Sequence, residues 1–478
     1  MAYTATLESV RSHPLSEWYA GAKLGIFIHW GLFSVPAYAP TRQGDIQQLL
    51  KTQPQEFFFA NQPYAEWYWN SLRIPGSPVQ RYHQEKYGAQ VQYTDFAGEF
   101  NRQSAQWDPA AWADLFRRAG ARYVVLVTKH HDGFLLWPSR QPNPNLPRYC
   151  AARDIAGELA QAVRQQGLRM GYYYSSALDW TFTEKPIRDF ADLLTSGPLS
   201  AGYARYVEAH WHELIDRYQA EILWSDIGYP PGSNLNALFA DFYNHNPQGV
   251  VNDRWTQLPG WMRNRVGRWL LNALIRRSLV AGGSPQSMVP HCDYLTTEYS
   301  GFENIQAKKW EACRGIGNSF GFNQAETPDD YLTPERLVAL LVDIVSKNGN
   351  LLLNIGPRAD GSLSEPQRLA LEGLGDWLAV HGEAIYDTHP WVRAADYPPE
   401  GGRVCYTARG ETLYAHLLDP HDTHLTLPGV ALRSTGRASL LGSDQAIRWI
   451  QAGQGLVVNL PEQVLRAQVP VLRLHGVQ

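Results

Sequence analysis

Residues 123–134 read YVVLVTKHHDGF. Aromatic, aliphatic and β-branched side chains follow one another from Tyr123 to Thr128, and the chain then turns polar at Lys129, His130, His131 and Asp132. A run without polar alternation suits a strand covered on both faces, as in a parallel sheet. The polar burst at its downstream end suits a barrel of parallel strands, whose carboxyl ends open into one bowl.

The same grammar repeats outward in both directions. GIFIHWG (25–31) precedes it; LRMGYYYS (168–175), EILWSDIG (221–228), GVVNDR (249–254), DYLTTEY (293–299) and NLLLNIG (350–356) follow. Helical patterns separate them. Thr333 can cap a helix with Pro334 at its first position, Leu337, Leu340, Leu341 and Ile344 then share a face, and Asn348-Gly349 supplies the stop. Ser364 with Pro366 opens another, carrying Leu374, Trp377 and Leu378 and ending near Gly382. Strands alternating with helices predict an α/β fold, a (β/α)8-like barrel over residues 1–388. After about residue 388 the stretches RVCYTAR, TLYAHLL, HLTLPGV, ASLLGS, GLVVNLP and VPVLRLHG are short and divided by Gly, Pro and Asp. They predict a C-terminal antiparallel β-sandwich over 389–478.

One segment breaks the rhythm. Thr256 to Val280 holds Arg263, Arg265, Arg268, Arg276 and Arg277 and no acid, inside an unusual stretch over 256–290. Met262, Val266, Trp269 and Ala273 recur at helical spacing, which predicts an amphipathic surface helix docked on the barrel. A lid or a homo-oligomer contact is the alternative, and membrane binding comes third.

The chain has 478 residues and a formal net charge of −4 with both signs dispersed. That balance points away from a nucleic-acid partner and from a membrane partner. No stretch approaches about 18 uninterrupted apolar residues, the length of a membrane span. The N-terminal residues show no basic-then-apolar run, and a cytoplasmic location is the expectation. Cys150, Cys292, Cys313 and Cys405 form no CxxC pair, so neither a zinc site nor a disulfide framework is expected.

Polar residues gather at the downstream strand ends: His29, Lys129 to Asp132, Tyr174 with Ser175, Asp226, Asp253 with Arg254, and Glu298. In a barrel these ends share one bowl. The sequence has neither GxSxG nor GxxxxGK[ST], which removes the Ser-nucleophile and phosphate-loop readings. Two carboxylates in a cavity with His, Tyr, Trp and Arg suit glycoside hydrolysis, one acting at the anomeric carbon and the other protonating the leaving oxygen. Asp226, with an arginine nearby, is the natural ionised group. Glu298, flanked by Thr and Tyr, is expected in a partly apolar setting that keeps it a proton donor. Zinc ligation by His130, His131, Asp226 and Glu298 is the rival chemistry. Adjacent histidines on a strand point to opposite faces, which disfavours it unless the strand has ended.

The runs AKLGIFIHWGLFSVPAYAP (22–40), AEWYWN (65–70), RYVVLVTKHHDGFLLWPS (122–139), GYYYSSALDW (171–180) and LWSDIG (223–228) resemble the α-L-fucosidases of glycoside hydrolase family 29. So do NDRW (252–255), DYLTTEY (293–299), KKWEACRGIGNSFGFN (309–323) and NGNLLLNIGPRADGSL (348–363). The resemblance implies a retaining exo-hydrolase of terminal α-L-fucose, acting on a fucosylated oligosaccharide or glycoconjugate without metal or organic cofactor. It implies Asp226 as nucleophile and Glu298 as acid/base, with Glu303 and Glu311 as alternatives to Glu298. His29, Glu66, His130, His131, Tyr174 and Arg254 are implied to hold the sugar hydroxyls, Trp67 to wall the pocket and Phe322 to lie near the C5 methyl. Two departures from the family pattern stand out: Ile227 intervenes between Asp226 and Gly228, and the 256–290 insertion precedes Glu298. The insertion is expected to border the acceptor side of the pocket. A fucose-binding, lectin-like protein without catalysis is the alternative from another class.

Overall fold

A computed structural model describes residues 2–41, 49, 52–280, 289–443, 447–453 and 455–477. Residues 281–288 of the predicted insertion lie outside the described residues, as do the side chains of Arg276 and Arg277. The strands β1 (Leu24–Ile28), β2 (Tyr123–Lys129), β3 (Arg169–Ser175) and β4 (Ile222–Asp226) are joined by β5 (Val250–Val251), β6 (Leu295–Glu298), β7 (Trp310–Gly315) and β8 (Gly349–Ile355). All neighbours run parallel, in the order β5-β4-β3-β2-β1-β8-β7-β6. The sheet curls into a barrel-like wall whose two edges, β5 and β6, meet at a seam. Side chains stitch that seam, beside a bond from the Asp293 amide to the Val251 carbonyl at 3.0 Å. Asp293 accepts from the Val251 amide at 2.7 Å, and Asp253 accepts from the amide and hydroxyl of Thr296 at 3.1 and 2.7 Å.

Seven strands coincide with the stretches read from the sequence, β1 and β8 each starting one residue earlier. The missing one is β7, where Glu311 and Arg314 interrupt the apolar run. Strand alternation divides the core into two layers. Ile26, Val124, Leu126, Tyr172, Tyr174, Leu223 and Leu353 face outward into the large cluster beneath the crossover helices. Phe27, Val125, Val127, Tyr173, Trp224, Cys313 and Leu352 form a separate cluster inside the curl.

The connecting helices include α1 (Gln55–Asn61), α2 (Pro109–Arg118), α3 (Ile155–Gln165), α4 (Phe190–Thr195), α5 (Ala201–Asp216), α6 (Leu235–His245), α7 (Arg265–Val280), α8 (Pro334–Ser346) and α9 (Glu365–His381). Thr333 caps α8 as predicted, its hydroxyl accepting from the Arg336 amide at 3.4 Å. The arginine-rich segment forms α7, with an unexpected orientation. Leu271 packs with Ala191 and Leu258, whereas Val266, Trp269 and Ala273 of the predicted stripe point outward. Polar docking sets this choice: Arg268 reaches Asp192 and the Thr195 hydroxyl, and Arg263 donates to the carbonyls of Thr195 and Gly197.

From His389 onward the described residues are mainly β, with a 3-10 turn at Glu462–Arg466. The strands β9 (His389–Asp396), β10 (Arg403–Arg409), β11 (Thr412–Leu418) and β12 (His424–Pro428) are followed by β13 (Leu432–Leu440), β14 (Arg448–Ala452), β15 (Gly455–Asn459) and β16 (Val471–Val477). They make two antiparallel sheets, β13-β16-β11-β10-β9 and β12-β15-β14, that share a core containing Tyr406, Leu417, Leu427 and Val458. Trp377 on α9 ties this region to the barrel, donating to the carbonyls of Gln468 and Val469 at 3.0 and 3.1 Å. The four cysteines are free.

Candidate active site

The end of β2 sets up the site. Pairing with β3 shifts register between Val127 and Lys129, a bulge that re-aims the side chains after it. Lys129 leaves the inner face, pairing with Asp179 at 2.9 Å and lying 4.6 Å over the Tyr174 ring. The strand has then ended, so His130 and His131 both line the same cavity, their ring centroids 4.0 Å apart.

That cavity has a volume of about 290 Å³, the small end of ligand pockets. It brings together His29, Glu66, Trp67, His130, His131, Asp226, Arg254 and Glu298. Asp226 closes β4 on the inner face, two residues beyond Trp224. Its carboxylate accepts from the Tyr173 hydroxyl at 2.8 Å and from Arg254 Nη1 at 3.0 Å. Burial pushes its pKa up, but the charge of Arg254, with His131 and the hydrogen bonds of Arg254 and Tyr173, outweighs burial and holds it below the ordinary carboxylate value. The turn that follows is tight: Ile227 has φ 60° and Gly228 φ 113°. A side chain at Gly228 would meet the Thr256 carbonyl at 2.4 Å.

Glu298 stands at the end of β6. Tyr64 donates to its Oε1 at 2.7 Å, and both terminal nitrogens of Arg254 lie 3.3 Å from its Oε2. This is a polar setting, not the partly apolar one expected from its neighbours. Thr297 and Tyr299 turn away from it to donate to the carbonyls of Ser300 and Gly317.

The remaining polar groups are locked from behind. Asn354 donates to the Phe320 carbonyl, so its oxygen accepts from His29 Nδ1 at 2.6 Å. Ser175 donates to the Leu178 carbonyl, so its oxygen accepts from His131 Nδ1 at 2.7 Å. Each ring therefore carries its proton on Nδ1 and keeps Nε2 as a bare acceptor. Burial lowers the His29 and His131 pKa values to about 3 and about 4, so both are neutral. His130 is also kept neutral by burial, and its Nδ1 has no hydrogen-bond partner among the described residues. Glu66 accepts from the Gly321 amide at 2.8 Å, yet burial raises its pKa to about 8. At neutral pH it carries a proton.

Two expected residues lie elsewhere. Tyr174 is on the outer face of β3, its hydroxyl 2.9 Å from His210 Nδ1; alternation places Tyr173 inside instead. Phe322 sits under the Arg358 guanidinium at 4.9 Å, whereas Phe320, its carbonyl held by Asn354, lines the cavity. Of the alternatives to Glu298, Glu303 is exposed. Glu311 points inward from β7 but one layer deeper, its oxygens taken by Tyr19, Tyr123 and Trp224 at 2.8, 2.6 and 2.9 Å. Sequence reasoning also missed Tyr64, Gln62, Phe58 and Phe59, and Phe190 with Leu193 of α4. They come from outside the strands, so strand ends gave no signal; the aromatic run Phe57-Phe58-Phe59 was the available clue.

The sequence model of the alpha-L-fucosidase family matches residues 1–383. The chain is 32% identical to the alpha-L-fucosidase of Branchiostoma floridae, over 99% of this chain and 96% of that protein. It is 31% identical to the tissue alpha-L-fucosidase of Homo sapiens, over 96% and 88%. Its fold matches the crystal structure of the Thermotoga maritima alpha-fucosidase in complex with fucose, with a TM-score of 0.83 and 37% identity over 99% of this chain and all of that one. With eight polar and aromatic residues of one pocket in place and the whole barrel matched, the chain belongs to the alpha-L-fucosidase family of glycoside hydrolases.

Proposed function

We propose that this glycoside hydrolase is a retaining exo-enzyme that removes terminal α-L-fucose from oligosaccharides or glycoconjugates. Asp226 attacks C1 while Glu298 gives a proton to the departing oxygen, leaving a covalent β-fucosyl-enzyme. Glu298 then takes a proton from a water molecule, whose oxygen replaces Asp226 at C1 and releases α-L-fucose. One observation carries this reading: a single nitrogen, Arg254 Nη1, lies 3.0 Å from Asp226 and 3.3 Å from Glu298. A shared donor at those distances favours the roughly 5–5.5 Å carboxylate spacing of retaining enzymes over the about 6.5–9.5 Å of inverting ones.

The other groups suit a sugar. His29 and His131 offer acceptors to hydroxyl protons, and protonated Glu66 offers both a donor and an acceptor. Trp67 supplies a flat wall. Phe320, in place of Phe322, is the apolar neighbour for the C5 methyl, a contact worth ~1–3 kcal/mol. The fucose held by the Thermotoga relative fits the same reading.

Hydrolysis of an aryl α-L-fucoside by wild type and by Asp226→Gly, with and without azide, tests it. The expected outcome is activity in the wild type, near-total loss in the variant, and azide rescue that yields β-fucosyl azide. Fucose binding without turnover by the wild type would instead identify a lectin-like protein.

A further inference from the structure

We propose that α7 is an interfacial anchor that seats this protein on an anionic lipid surface. Val266, Trp269, Leu270 and Leu274 lie on one face of the helix and are 65%, 68%, 38% and 62% exposed. Trp261, in the turn before it, is 56% exposed. Apolar side chains exposed singly are ordinary, but a contiguous stripe of this kind marks an interaction surface.

The stripe is not waiting to fold inward, because the opposite face is already docked. Leu271 packs on Ala191 and Leu258, and Asn272 accepts from the Ala191 amide at 3.0 Å. Arg263 and Arg268 are held in the same contact.

Charge identifies the occupant. From Thr256 to Val280 the sequence has five arginines and no acid. Docking uses Arg263 and Arg268 and leaves Arg265 exposed, and the sequence of the segment adds Arg276 and Arg277 and no acid. A second copy meeting this face across a two-fold axis brings the same basic segment against itself, with no acid in it to pair. Anionic headgroups accept the arginines while Trp, Val and Leu enter the acyl boundary, the arrangement of interfacial helices. The net charge of −4, which argued against a membrane partner, averages over the chain and hides this local excess.

Flotation with vesicles tests the proposal, using phosphatidylglycerol mixed with phosphatidylcholine against phosphatidylcholine alone. Wild type is expected to float with the anionic vesicles and at least tenfold less with neutral ones or in 1 M salt. The Trp269→Glu/Leu274→Glu variant is expected to lose flotation while hydrolysing a soluble aryl fucoside at the wild-type rate. Arg265→Glu, a milder surface change, is expected to weaken anionic binding alone. Wild type that stays with the soluble fraction, or flotation that survives all three changes, overturns the proposal. A wild-type dimer that the double variant converts to monomers, with no vesicle binding, assigns the face to a second copy and overturns it as well.

Discussion

Burial sets the protons of the pocket in opposite directions. His29 and His131 have pKa values of about 3 and about 4, far below the ordinary imidazole value. Their contribution to stability is complete above about pH 6.5 and is lost as pH falls through the folded values. Glu66 behaves in the reverse sense, because burial raises it to about 8. Its contribution is complete below the ordinary carboxyl value and is lost as pH rises through 8, by about 1.4 kcal/mol for each pH unit between the two. Glu66→Gln keeps the shape without the ionisation. Melting curves at pH 5 and pH 8.5 are expected to show a smaller alkaline loss for the variant than for wild type; equal losses would remove Glu66 as the cause. None of this was legible in the polar strand ends, which place the residues and not their protons.

At the scale of elements, strand alternation explains both what was legible and what was not. Asp226, Glu298 and His29 were found because the last inward position of a strand is also its polar end. Tyr174 was misplaced by one residue, since three successive tyrosines in β3 give no polarity signal to fix the register. Its pairing with β4 does, aligning Tyr173 with Trp224 and Ser175 with Asp226. Tyr173→Phe is therefore expected to lower kcat/KM by about 10- to 100-fold, the range for a hydrogen bond to a charged group. Tyr174→Phe is expected to leave it within about twofold, and a reversed ranking in steady-state kinetics would refute the register argument. The stripe of α7 failed in another way. Amphipathicity says that a helix has two faces, and only the arginine partners on α4 decide which one is docked.

For the whole molecule, the division into a parallel barrel and antiparallel sheets was legible because their hydrophobic periods differ. The junction was not, since it depends on single contacts such as Trp377 with Gln468 and Val469. Trp377→Ala removes a buried indole as well as those bonds, a change that costs about 3–5 kcal/mol. A lower melting temperature, with kcat on a soluble fucoside retained below the transition, is the expected calorimetric and kinetic result; an unchanged melting curve would show that the junction does not limit stability.

The seam between β5 and β6 bears on how such a chain changes over time. Its edges are joined by the side chains of Asp253 and Asp293 together with the bond from the Asp293 amide to the Val251 carbonyl, so the connection between them can grow or shrink without dismantling a ladder of backbone bonds. The helix α7, which lies in that connection, rests on α4, which lends Phe190 and Leu193 to the pocket wall. The seam thus works as a port for evolutionary tinkering: new sequence enters at low risk to the scaffold, yet arrives within one helix of the chemistry.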